Sequence, residues 1–159
     1  MELIRSLATP RRADPGFVAT IGGFDGIHVG HRALLDRTQA RAAALGLRSL
    51  MVTFEPTPRE FFARDNPPAR LTTLRERWRL LQRQRLDVLC VLRFTAALRA
   101  LPAVAFAALL RDAGVRAIVI GHDFRAGRSG EATADWFAAN AAGCGFEVEV
   151  VPPVCVGEE

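Results

Sequence analysis

The 159 residues are enough for one ordinary hydrophobic core, and 50% apolar with 24% charged residues excludes wholesale disorder. A net charge of +4 and a pI near 10.1 suit anionic partners such as nucleotides. All the cations are arginines, tyrosine is absent, and no basic-aromatic interleaving marks a base-stacking platform. Arg75, Arg77, Arg79, Arg83 and Arg85 therefore read as a solvated helix face, not a nucleic-acid patch. Cys90, Cys144 and Cys155 lack CxxC spacing, and Cys90 lies in an apolar run as a small core residue. With no signal-like apolar N-terminus and no stretch of membrane-spanning length, the expected location is the cytoplasm, with no membrane partner.

Short apolar runs alternate with amphipathic ones, the pattern of an α/β domain with a parallel sheet. Phe17 to Ile21 reads as the first strand, and a helix follows from His31 to Leu45, ended by Gly46. Leu50 to Phe54 is the second strand, before a proline-rich loop. Leu71 to Gln84 reads as a helix, with Thr72 or Thr73 as N-cap and Glu76 placed for a capping box. Asp87 to Leu92 is the third strand, and Pro102 suits the first turn of a helix running to about Ala113. Ala117 to Ile120 is the fourth strand, Gly121 to Gly130 a polar loop, Thr133 to Ala142 a helix and Phe146 to Val151 the fifth strand. These elements predict a Rossmann-like, doubly wound sheet of about five parallel strands. Ligands in such sheets sit at the carboxyl ends of the strands, where the order reverses. The loops at 22–30, 55–68 and 121–130 should then meet on one edge.

The first of these loops runs Gly22-Gly23-Phe24-Asp25-Gly26-Ile27-His28-Val29-Gly30-His31. Its glycines permit a sharp turn and a close ligand approach, and the helix start behind them offers unpaired N–H groups to phosphate. His28 and His31, three apart, can face one direction and donate to a triphosphate. Neither GxxxxGK[ST] nor GxGxxG is present, so this is not a P-loop and a nicotinamide cofactor is not expected. Physically, Phe54, Pro56, Pro58 and Phe62 in the second loop offer flat apolar surfaces to a planar ring.

HxGH after a first strand resembles the nucleotidylyltransferase superfamily, and GGFDGIHVGH resembles the form found in bacterial bifunctional FAD synthetases. Val52 to Phe62 is similar to the stretch that lines the flavin pocket in that family. Gly121-His122-Asp123-Phe124-Arg125-Ala126-Gly127 is similar to its GxDFRFG signature, and the likeness extends from Phe17 onward. The resemblance implies an FMN adenylyltransferase that moves AMP from ATP to FMN, with His28 and His31 catalytic. It further implies ATP binding by Gly22, Gly23, Phe24, Asp25, His28, Gly30, His31, Gly121, Asp123, Phe124 and Arg125. FMN would lie against Phe54, Pro56, Pro58, Phe62 and Asp123, and Mg²⁺ would accompany ATP without a dedicated protein cage. Two alternatives stand beside this reading: a nucleotide- or flavin-binding module with little catalysis, and a related HxGH transferase with another substrate.

Gly23 stands where the family commonly has asparagine, Thr57 where histidine is usual and Ala126 where phenylalanine is usual. The Gly127 to Gly130 loop reads as shorter than the family's. An SSTR-type motif with a phosphate-binding arginine, and then a riboflavin kinase module, would fall beyond Glu159. The kinase module is expected in a full-length form, and the kinase activity is not expected within these residues.

Overall fold

The computed structural model describes residues 1–7, 15–24, 29–57, 61–62 and 73–153. Its centre is a sheet of six strands: β1 (Glu2–Ile4), β2 (Phe17–Ile21), β3 (Arg48–Phe54), β4 (Val88–Leu92), β5 (Val115–Gly121) and β8 (Glu147–Val151). They lie in the order β1-β4-β3-β2-β5-β8, every pair parallel, with Ala19 opposite Leu50 on one side and Ile118 on the other. The helices that flank the sheet include α1 (Val29–Leu45), α2 (Leu74–Arg83), the short α3 (Ala96–Arg99), α4 (Ala103–Asp112) and α5 (Ala134–Cys144). A small antiparallel ribbon, β6 (Arg125–Ala126) with β7 (Ala132–Thr133), encloses a 3₁₀ turn at Arg128–Gly130.

Side chains alternate across the sheet, so each strand feeds two cores. Ile21, Leu50, Val52, Cys90 and Ile118 pack with Phe106 and Leu110 of α4 and Phe137 of α5. On the opposite face, Met51, Leu89 and Val91 meet Leu35 of α1 and Leu81 of α2, while Val18 and Val119 meet Ala42. Burial on both faces explains why β4 is an unbroken apolar run and β2 is interrupted only by the small Thr20. Cys90 is one of these residues, fully buried, and burial pushes its thiol up to about 12.

The five expected strands are present, and a sixth joins them. Glu2–Ile4 pairs with the outer edge of β4, a three-residue strand too short to carry a periodic signal. Thr73 is the N-cap of α2, in a reciprocal capping box with Glu76; the helix begins at Leu74. Pro102 lies just before α4 and not in its first turn, with ψ at 153°; Glu131 Oε1 accepts from the Ala103 N–H at 2.7 Å to cap the helix.

The expectation of a wholly solvated arginine face is corrected at one position. Arg75, Arg79, Arg83 and Arg85 are exposed, but Arg77 is only 2% exposed. It falls in line with Leu74, Trp78 and Leu81, the i, i+3, i+4, i+7 stripe that faces the sheet.

Candidate functional site

The strand order reverses between β2 and β5, with β3 and β4 on one side and β8 on the other. Because all six strands are parallel, the segments that follow them emerge at one edge. A cavity of about 770 Å³ opens at the reversal, bordered by Gly22 to Phe24, by Gly30, His31 and Leu34 of α1, and by Gly121 to Ala126. Phe54 and the Val151–Pro153 segment close its sides. The size suits a nucleotide-scale ligand.

Backbone crowding explains the residue types. A Cβ on Gly22 would sit 3.0 Å from the Phe24 ring, closer than ordinary contact, so the ring folds back over a position that a side chain would crowd. Phe24 is buried, with φ at 48°, and its ring meets His31 edge-on at 4.9 Å between centroids. Phe24 thus anchors the loop in the α1–α2 core and sets the orientation of the histidine. At the second segment, a Cβ on Gly121 would come within 3.1 Å of Asp123 Oδ1. The missing side chain lets the Asp123 carboxylate fold over the turn that the Phe124 N–H closes on Gly121 O at 3.1 Å. Phe124 is half-buried and packs against Phe137 at 5.8 Å, so it serves as a root for the loop as well as a wall of the cavity.

Of the residues singled out in sequence, Gly22, Gly23, Phe24, Gly30, His31, Gly121, Asp123, Phe124, Arg125 and Phe54 are brought together on this cavity. Asp25, His28 and Pro58 lie outside the described residues. Pro56 and Phe62 do not border the cavity. Phe62 is 59% exposed and belongs to an adjoining aromatic group, with Phe61 at 5.7 Å, Phe94 at 6.0 Å and the Arg99 guanidinium 4.7 Å from its ring centre. Phe54 joins the two regions, since it borders the cavity and also meets Phe94 at 5.6 Å. Thr57 is buried and accepts from the Phe61 N–H, tying the start of this loop to its aromatic end.

Several contributors escaped the sequence reading. Phe94 and Arg99 come from the end of β4 and from α3, and only the fold carries them to the proline-rich loop; the adjacent RF pair at 93–94 was the available signal. His122 and the Val151–Pro153 segment also border the cavity, joined by the His122 N–H donating to Val151 O at 3.1 Å. At Gly23, where an added side chain would meet nothing within 4 Å, the space opens toward solvent and cavity. Among the described residues no three His, Cys, Asp or Glu side chains cluster as a metal cage, and no helix is long and apolar enough to cross a membrane.

Comparison with known proteins points to one family. A family model described as FAD synthetase matches residues 11–159. The bifunctional riboflavin kinase/FMN adenylyltransferase of Pseudomonas fluorescens is 38% identical over 97% of the chain, and that of Escherichia coli K12 is 39% identical over 99%. The chain spans about half the length of these curated relatives, 50% and 51% respectively. A solved structure described as a macrolide-efflux protein from Streptococcus pneumoniae superposes over 99% of the chain and 52% of its own, with a TM-score of 0.79 and 26% identity.

Proposed function

The chain belongs to the FAD synthetase family, and from that membership we propose that it transfers AMP from ATP to FMN, yielding FAD and pyrophosphate. The observation that carries this reading is the cavity at the strand reversal, where glycine backbone, His31 at the start of α1 and the Asp123 turn converge. In the reaction an FMN phosphate oxygen attacks the α-phosphorus of ATP, the new P–O bond forms, and the bond to the β-phosphate oxygen breaks. No side chain needs to become a nucleophile. Alignment and charge stabilisation carry such a transfer.

In this reading His31, with His28, donates to the phosphates as charge builds on the transferring group. The N-terminal N–H groups of α1 add a positive dipole end to the same region. Gly22, Gly23, Gly30 and the Gly121–Arg125 turn give the nucleoside a close backbone wall. Phe54 and the Phe61–Phe62–Phe94 group offer the flavin an apolar face, with Pro56, Pro58 and Asp123 at its margin. Mg²⁺ would arrive on the triphosphate and neutralise its charge; Asp123 is the described carboxylate nearest to that role on the cavity wall. A riboflavin kinase module, as the names of the relatives indicate for them, is the partner proposed for the whole protein.

The test is steady-state conversion by the purified chain of FMN and ATP, with Mg²⁺, into FAD and equimolar pyrophosphate. ATP binding without any turnover would favour a binding module. Transfer of AMP to a different phosphate ester in preference to FMN would move the chain to a sister activity of the same superfamily.

A further inference from the structure

The buried arginine of α2 points to a role that the solvated neighbours on its helix do not share. Arg77 Nη1 donates to Gly23 O and to Thr53 Oγ1, each at 3.1 Å, and Nη2 donates to a Glu55 carboxylate oxygen at 2.9 Å. Thr53 Oγ1 donates to the same Gly23 carbonyl at 3.0 Å. Burying a guanidinium is costly unless it is paired and hydrogen-bonded, and here its acceptors come from two segments of the proposed site. Gly23 borders the cavity after β2. Glu55 is the first residue beyond β3, where the proline-rich loop leaves the sheet.

We propose that Arg77 is a positioning residue that holds the loop after β2 and the turn after β3 in one fixed relation, so that the nucleotide and flavin sides of the site stay aligned. This rests on the reading of the site as an adenylyl-transfer centre. The carbonyl of Gly23 is turned toward Arg77, and in a planar trans peptide the Phe24 N–H then points the opposite way. Phe24 sits in the left-handed region, which a phenylalanine holds only where its surroundings over-determine it. Part of those surroundings comes from α2: Arg77 grips the carbonyl before it, and Leu81 and Trp78 belong to the same hydrophobic cluster. The planar fork of arginine reaches acceptors in both segments at once; a lysine ammonium is a point donor and cannot keep the same spread.

The two arms can be cut separately, which separates positioning from bulk stability. Thr53→Val removes a donor from Gly23 O and should raise the KM for ATP about fivefold to tenfold while moving that for FMN by less than about twofold. Glu55→Gln removes the charge from the other arm and should show the opposite split. Arg77→Lys should raise both KM values and lower kcat by about tenfold, and adding Glu55→Gln to it should cost little more, because both changes break one link. If Arg77 merely stabilised the fold, each loss would track the fall in Tm and fall equally on both substrates. That pattern, or wild-type kinetics in Arg77→Lys, overturns the proposal. Amide NMR supplies a reading independent of turnover: Arg77→Lys should shift the Gly23, Phe24 and Glu55 signals together. If the wild-type chain makes no FAD, the proposed function fails but this shift still decides the tie. Unmoved signals in the two segments refute it even in an active enzyme.

Discussion

The two sides of the strand reversal are built from opposite materials. The side of β2 and β5 is lined by backbone: Gly22, Gly23, Gly30 and Gly121 carry no side chain, and His31 and Asp123 add the polar side chains. The side of β3 and β4 is made of rings: Phe54, Phe61, Phe62 and Phe94 meet edge-on, with Arg99 over the outermost. Backbone donors suit phosphate, which wants directed hydrogen bonds, and rings suit a planar heterocycle, which wants area. Under the proposed function, one edge of one sheet would present two chemically unlike surfaces to two chemically unlike ligands.

The sharpest way to break this division is to remove His31. His31→Ala should slow FAD formation by about a hundred- to a thousandfold, as for loss of a transition-state donor. FMN affinity, measured by quenching of flavin fluorescence, should stay within about twofold, since the ring side keeps its van der Waals surface. Equal losses for both ligands would mean that the two sides are not separable.

Removing the outer ring should have the converse effect at smaller scale. Phe62→Ala takes away one exposed aromatic face, worth about 0.5–1.5 kcal/mol beyond its area. FMN binding should weaken by about threefold to tenfold with ATP binding unchanged in calorimetry. Unchanged FMN binding would place the flavin away from this cluster.

How much of this contrast was readable in advance follows from the distance over which each signal acts. Phe17–Ile21 matched its strand to the residue because both faces of β2 are buried and every position is apolar or small. The glycine–histidine segment was legible because strand, turn and helix start are adjacent in the chain. Glu2–Ile4 was missed since three residues cannot show a period, and its strand exists only because β4 offers an edge. The four-residue α3, capped by Thr95, escaped for the same reason of length, and with it Arg99. Arg77 was misread because residue type was weighed above its place on the helix stripe. The β6–β7 ribbon lay hidden inside a loop whose glycines signal turns but not which strands they join.

A different contrast, between the sheet's interior and its site, is tested by thiol chemistry. Cys90 is buried on β4 and its thiol is pushed up to about 12, so it should stay unmodified by alkylating reagents while the protein is native. Peptide mass mapping should find it labelled only after denaturation. Because the folded state holds this proton above the ordinary value of 9.0, stability should begin to fall as pH rises past that value, where the unfolded thiol ionises first. Native labelling of Cys90 at neutral pH would show that the β4 strand opens locally.

The smallest effect concerns how the backbone side is held together at its outer rim. Arg37 of α1 donates through Nε and Nη2 to the Glu149 carboxylate of β8 at 2.7 and 2.9 Å. The hydrogen bond from Arg37 is the main reason that Glu149 sits below its ordinary carboxylate value of 4.5, and Arg41 adds a second cation. The pair links the helix that bears His31 to the strand that leads into Val151–Pro153, so both ends of the link border the cavity. A depressed carboxylate contributes stability above its unfolded pKa and loses it as pH falls through the lower, folded value. Glu149→Gln should therefore lower Tm slightly at neutral pH, and the gap to the wild type should close as the solution is taken well below 4.5. The gap stays small because the Arg37 side chain is 53% exposed and solvent screens the pair. Added salt should narrow it further at neutral pH. A gap that survives acid unchanged would show that the charge of Glu149 has no part in holding the rim.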